Sequence, residues 1–111
     1  MRVRWLASAA RGRQHQLDYL AERDPHAAIA AGDRLRAATR LLSEHPSIGR
    51  PGRYAGTREW VVSRTPFLLV YRIEADVVTI LRLFHGAQER PGYDRAGPAA
   101  PAAKSDSGPA G

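Results

Sequence analysis

This chain of 111 residues contains no cysteine, one lysine (Lys104) and no long apolar segment. The absence of cysteine excludes disulfides and thiol chemistry. No apolar run is long enough for a membrane-spanning helix or for the core of a signal peptide, so we predict a cytoplasmic protein. A chain of this length forms one domain at most, because its single hydrophobic core is already modest.

The charge is strongly basic. Lys and Arg number 17 against 11 Asp and Glu, which gives a formal net charge of +6. Nearly all of the positive charge is arginine, whose planar guanidinium binds carboxylates and phosphates through two parallel hydrogen bonds. We therefore expect an acidic partner, which could be a nucleic acid, a ribosome or an acidic protein.

The N-terminal half contains a short strand and the first of two helices. Val3 and Trp5 alternate with arginines, which is the period-two pattern of a strand. The first helix is predicted to run from Ser8, a suitable N-cap residue, to about Arg23. Its apolar stripe is thin, and Gly12 should cost about 1 kcal/mol relative to alanine.

A second helix is predicted to begin at Asp24-Pro25, because aspartate caps helix N-termini and proline is tolerated at the first helical position. His45-Pro46 ends it. Because the link between the helices is so short, they should fold back on one another as an antiparallel hairpin from Ser8 to Glu44. The residues that recur at helical spacing along its core face are Ala28, Ala31, Leu35, Ala38, Thr39 and Leu42.

The C-terminal half reads as strands. A loop rich in glycine, proline and arginine is predicted over residues 47–56. Three strands follow, over 58–64, 67–73 and 77–84, with a tight turn between the last two. Helices segregated from a run of antiparallel strands predict an α+β fold, with the order β-α-α-β-β-β and a three-stranded antiparallel sheet.

Residues 96–111 contain mostly Ala, Pro, Gly and Ser with no large apolar side chain, so we predict a domain over 1–95 followed by a disordered tail. The histidines, at positions 15, 26, 45 and 85, show no metal-ligand spacing. Neither a nucleotide-binding glycine loop nor a Ser-His-Asp pattern occurs. We therefore predict no metal and no cofactor.

Several segments occur in the order and spacing of one known family. They are 49–53 (GRPGR), 56–59 (GTRE), 67–73 (FLLVYRI), 77–82 (VVTILR) and 85–88 (HGAQ), with 19–23 (YLAER) upstream. The chain resembles the RelE/ParE toxins, the small basic partners of type II toxin–antitoxin pairs. This resemblance covers about four fifths of the chain and implies a cognate antitoxin, which we expect to be acidic and partly disordered.

The resemblance implies two alternative mechanisms. Nuclease members cleave ribosome-bound mRNA without metal: basic residues hold the scissile phosphate while other groups transfer protons. For that activity the candidates are Arg72 and Arg82, with His85 or Glu59 as acid or base; Tyr93 could replace a C-terminal tyrosine of other members. The candidates for binding phosphate or a protein target are Arg50, Arg53, Arg58 and Arg64.

Departures from the nuclease pattern favour the other branch. Leu68 stands where nucleases of the RelE type tend to have arginine, and Ala87 and Gln88 stand where they carry a basic residue. The ending His85-Gly86-Ala87 instead resembles ParE-like members, which bind DNA gyrase and block it. We therefore expect a gyrase inhibitor; the alternatives are an mRNA interferase acting on the ribosome, and an inactive homologue that only binds its antitoxin.

Overall fold

A computed structural model describes residues 1–86 of the chain. The order of elements differs from the prediction at one point, because a second short strand lies within the loop after the helices. In chain order the elements are β1 (Arg2–Trp5), α1 (Ala7–Arg23), α2 (Pro25–Glu44), β2 (Arg50–Pro51), β3 (Arg58–Val61), β4 (Phe67–Glu74) and β5 (Val77–His85).

The two helices form as predicted, with one correction at the N-terminus. α1 begins at Ala7, and its N-cap residue is Leu6, which makes no side-chain capping hydrogen bond; the prediction that Ser8 caps the helix was wrong. The boundary between the helices is confirmed, because the Asp24 carboxylate accepts a hydrogen bond from the Ala27 N–H. Asp24 alone separates α1 from α2, and the two helices pack against each other.

The sheet differs from the prediction of three antiparallel strands. It has five strands in the order β1-β5-β4-β3-β2, and β1 runs parallel to β5. The other neighbours are antiparallel, so the sheet is mixed. The short strand β2 lies inside the segment that the sequence predicts to be an irregular loop. Both helices lie between β1 and the other strands in the chain, and this long connection allows β1 to lie at the edge of the sheet beside β5.

The main core lies between the helices and one face of the sheet. Leu35 and Leu42 of α2 are buried there against Phe67, Leu69 and other side chains of the central strands. A second, smaller apolar cluster lies on the opposite face of the sheet and includes no residue of α1 or α2; its buried members are Leu68, Val70 and Phe84. β4 is therefore buried on both faces, as its apolar sequence predicts.

Within residues 1–86, no helix combines the length and the apolarity that crossing a membrane requires. The predicted tail, 96–111, and Tyr93, Ala87 and Gln88 lie outside the described residues.

Candidate functional site

A buried tyrosine fixes the start of the loop that follows α2. The Tyr71 hydroxyl, on β4, donates a hydrogen bond to the Pro46 carbonyl oxygen (2.6 Å) and accepts one from the Gly49 N–H (2.9 Å). Burial raises the pKa of this hydroxyl above its ordinary 10.0, although the Gly49 hydrogen bond and the Arg58 charge act in the opposite direction. The loop therefore leaves α2 along a fixed path.

Position 49 requires glycine because there is no space for a side chain. A Cβ there would lie 2.6 Å from the Tyr71 hydroxyl oxygen and 2.9 Å from the Glu59 carbonyl oxygen, both too close for any side chain. Arg58 supports the same turn, since its guanidinium donates to the carbonyl oxygens of Ser47 (3.2 Å) and Gly49 (2.7 Å). The structure thus uses Arg58, a candidate phosphate-binding residue, to hold the loop backbone.

Glu59 anchors the next part of the loop. Its side chain, only 4% exposed, accepts hydrogen bonds at Oε1 from Nη2 (3.0 Å) and Nε (3.3 Å) of Arg50, and at Oε2 from the Arg53 N–H (3.2 Å). One buried carboxylate therefore holds an arginine side chain and the loop backbone three residues further on. Because both oxygens already accept hydrogen bonds, Glu59 is poorly suited to act as an acid or base.

The loop presents its arginines outward. The Arg50 side chain is 55% exposed, and Arg53 is exposed as well. The loop closes on itself through hydrogen bonds from the Gly52 N–H to the Thr57 carbonyl oxygen (2.7 Å) and from the Thr57 N–H to that of Tyr54 (3.1 Å). The result is a fixed, positively charged surface, and we call residues 47–57 the basic loop.

The remaining candidate arginines lie elsewhere. Arg64 is exposed in the turn between β3 and β4, where it adopts a positive φ of 61°. Arg72 and Arg82 lie on neighbouring strands, on the face of the sheet that α1 and α2 do not cover: Arg82 is paired in register with Val70, and its guanidinium lies 4.6 Å from the centre of the Phe84 ring. Arg72 pairs with Glu74, with 3.2 Å between Nε and Oε2.

His85 is separated from these arginines by the sheet. It is paired in register with Phe67, a residue of the main core, and its ring meets the Phe67 ring edge-on at 6.2 Å between centroids. Strand alternation places His85 on the face opposite to Phe84 and Arg82. The structure therefore does not assemble the predicted set of Arg72, Arg82 and His85 around one point.

An open groove of about 500 Å³ runs beside β1, at the edge of the sheet. Ser43 holds the chain start there, because its carbonyl oxygen accepts a hydrogen bond from the Met1 ammonium group and its hydroxyl donates to the Met1 carbonyl oxygen. The lining residues come from β1 and α2: Met1, Arg2, Val3, Trp5, Arg36, Thr39, Arg40 and Ser43. Sequence reasoning did not find this groove, since it depends on the position of β1 at the sheet edge.

No group of histidine and carboxylate side chains in residues 1–86 has the arrangement of a metal site. The described residues present four candidate binding surfaces: the basic loop, the groove, the helical hairpin and the arginines of the uncovered sheet face.

Comparison with known proteins identifies relatives over most of the chain. The family model described as "ParE toxin of type II toxin-antitoxin system, parDE" matches residues 3–90. A Sinorhizobium fredii protein named "Putative toxin Y4kP" is 39% identical over 90 residues, which covers 81% of this chain and 93% of that protein. "Toxin RelE1" of Caulobacter vibrioides is 36% identical over 74 residues, covering 65% of this chain and 78% of the relative.

A solved structure has the same fold. A chain of the "Chromosomal ParDE TA system from P. aeruginosa" aligns with a TM-score of 0.67 at 24% identity, covering 75% of this chain and 92% of the other. The family model spans most of the chain, including both helices, the basic loop and all five strands. The chain belongs to the ParE toxin family, the toxins of type II toxin–antitoxin systems.

Proposed function

We propose that this toxin inhibits DNA gyrase by binding to it, and that a cognate antitoxin neutralises it. The environment of the candidate acid and base groups favours binding over catalysis. The Glu59 carboxylate is buried and engaged by Arg50 and Arg53, while His85 lies across the sheet from Arg82. Catalysis of RNA cleavage needs these groups beside a bound phosphate. Binding to a protein needs only an exposed, well-ordered surface.

The tip of the helical hairpin supplies such a surface. Ile29 is 65% exposed and Tyr19 is 47% exposed, and they flank the junction between α1 and α2 at Asp24. The Arg23 guanidinium lies over the Tyr19 ring, 3.8 Å from its centre. Tyrosine and arginine are enriched among the residues that contribute most to protein interfaces. We propose that this tip and the basic loop contact the target.

The groove beside β1 is the proposed site for the antitoxin. Among residues 1–86, no strand pairs with the outer edge of β1, so its backbone N–H and C=O groups can pair with an added strand. Arg36 and Arg40 of α2 line the groove and favour an acidic segment. An acidic, partly disordered segment that folds on binding would satisfy both the open edge and the charge.

The experiment compares toxicity, gyrase inhibition and mRNA integrity in cells and with purified protein. Ile29→Asp at the tip, and Arg53→Ala in the loop, should each abolish inhibition of supercoiling by purified gyrase. Ile29 is a better site than the buried Leu35, because a charge at an exposed position leaves the core intact. His85→Ala is the comparison variant and should retain toxicity.

Other results would point to the alternatives. Cleavage of ribosome-bound mRNA that disappears in Arg72→Ala and His85→Ala would overturn the proposal in favour of an mRNA interferase. A chain that binds the product of the adjacent antitoxin gene, yet affects neither growth nor supercoiling, would indicate an inactive homologue. Failure to bind that product would contradict the antitoxin proposal itself.

A further inference from the structure

The face of the sheet opposite to the helices carries a row of arginines. The register of the strands places Arg50 of β2, Arg82 of β5, Arg72 of β4, and Arg2 and Arg4 of β1 on this face, which we call the arginine face. Two carboxylates share it, those of Glu59 and Glu74, so positive charge predominates among the described residues of these strands. α1 and α2 pack on the other side.

Two of these arginines flank a buried hydroxyl. Thr79 of β5 lies between Arg4 of β1 and Arg72 of β4 in the register, and it is only 2% exposed. The Arg4 Nε donates a hydrogen bond to the Thr79 Oγ1 at 3.3 Å. This hydrogen bond holds Arg4 through its Nε, and the N–H groups at the end of the guanidinium are directed away from it.

Arg72 is held more weakly. Its Nε lies 3.2 Å from the Glu74 Oε2, but both side chains are about half exposed, at 43% and 56%. Exposed ion pairs contribute little to stability, so Arg72 can exchange this carboxylate for another anion. Arg4 and Arg72 are two strands apart, about 10 Å at the backbone. Successive phosphates of one strand advance about 3.4 Å along the duplex axis, so two arginines at this separation can contact different phosphates.

The arginine face offers charge with little exposed aromatic surface. Phe84 is 1% exposed and lies beneath the Arg82 guanidinium, and Tyr54 of the basic loop is partly buried against the same apolar cluster. Proteins that bind single-stranded nucleic acids combine positive charge with exposed aromatic rings on which the bases stack. A face with phosphate-binding groups and a buried ring is better suited to the backbone of a duplex.

We infer that the arginine face binds the phosphate backbone of duplex DNA, with Arg4 and Arg72 as the principal contacts. The inference rests on the proposed function for its biological context, because gyrase holds duplex DNA. The hairpin and the arginine face lie on opposite sides of the sheet, and Arg4 and Arg72 lie outside the basic loop, so a toxin that contacts gyrase through its hairpin and loop leaves these two arginines available for DNA. The toxin would then bridge the enzyme and its DNA.

The test measures binding of a fluorescently labelled duplex of about 20 base pairs to the purified full-length toxin at several salt concentrations. For duplex DNA the logarithm of the binding constant falls with the logarithm of the salt concentration, with a slope of about −0.9 for each phosphate contacted. Arg4→Gln and Arg72→Gln should each make the slope shallower by about 0.9. The matched control is Arg11→Gln, which removes the same charge from an exposed position on α1.

The Arg11→Gln control distinguishes a specific DNA-binding site from general electrostatic attraction. If Arg11→Gln changes the slope as much as Arg4→Gln does, the binding is diffuse attraction to a basic protein and the inference is wrong. Tighter binding of a single-stranded RNA of equal length would also overturn it. Gyrase binding is measured separately after nuclease treatment: a toxin that binds duplex DNA through Arg4 and Arg72 without binding gyrase supports the DNA contact while refuting the proposed target.

Discussion

Removing Arg50 should destabilise the whole domain, because it strips the cation from a buried carboxylate. The Glu59 side chain is 4% exposed, whereas that of Arg50 is 55% exposed. Breaking a fully buried pair by removing one partner costs about 3–5 kcal/mol, and an exposed pair is worth about 0–1 kcal/mol. This pair lies between the two limits, so we expect Arg50→Ala to cost about 2 kcal/mol. For a domain of this size that lowers the melting temperature by on the order of 10 °C.

A second substitution separates this cause from simple loss of a contact. In the Arg50→Ala background, Glu59→Gln replaces an unpaired buried charge with a neutral amide, whose oxygen can still accept from the Arg53 N–H. The double variant should therefore be more stable than Arg50→Ala alone. Thermal and urea unfolding followed by circular dichroism measure all three proteins. Arg72→Ala is the control: it breaks an exposed pair and should cost less than about 1 kcal/mol.

The result that refutes this reasoning is a double variant less stable than Arg50→Ala. It would mean that Glu59 stabilises the loop without needing its cation. An Arg50→Ala variant that melts within a degree or two of the wild type would show that water reaches the carboxylate and replaces the arginine.

Three further predictions concern stability. Tyr71→Phe removes a group whose folded-state pKa is raised, so the wild type should lose stability as the pH rises above 10.0 while the variant loses less; unfolding by urea between pH 8 and 11 measures this. Gly49→Ala should destabilise by about 1–3 kcal/mol through its contact with the Tyr71 hydroxyl, whereas Gly12→Ala, with nothing within 4 Å, should stabilise by up to about 1 kcal/mol. Equal effects of the two alanines would contradict the close approach at Gly49. Deleting residues 96–111 should leave the melting temperature unchanged, and a loss of several degrees would show that the tail packs on the domain.

Local chemistry in the sequence was sufficient to predict the two helices and to identify the toxin family. Asp24 and Pro25 mark a helix boundary because capping and the fixed φ of proline act within a few residues. The spacing of Ala31, Leu35 and Leu42 identified the buried face of α2. The continuous apolar run of β4 predicted a strand covered on both faces, and the order of the motifs along the chain identified the toxin family.

The arrangement of the sheet depended on contacts between distant residues. Nothing local in Arg2–Trp5 specifies that β1 lies parallel to β5, since that pairing joins residues more than 70 positions apart. The two-residue strand β2 was missed because Pro51 within it and the glycines on either side predict a loop. Pairing with β3 makes this segment a strand.

The candidate site also depends partly on local sequence and partly on contacts between distant residues. The sequence identified Arg50 and Arg53 as loop arginines, but only the tertiary structure places Glu59 beneath them and His85 on the opposite face of the sheet from Arg82. Alternation along β3 predicts that Glu59 lies on the face opposite to Trp60, as the structure shows. Its partner could not be predicted, because register between strands is set by packing of the whole sheet and not by the residues of either strand alone.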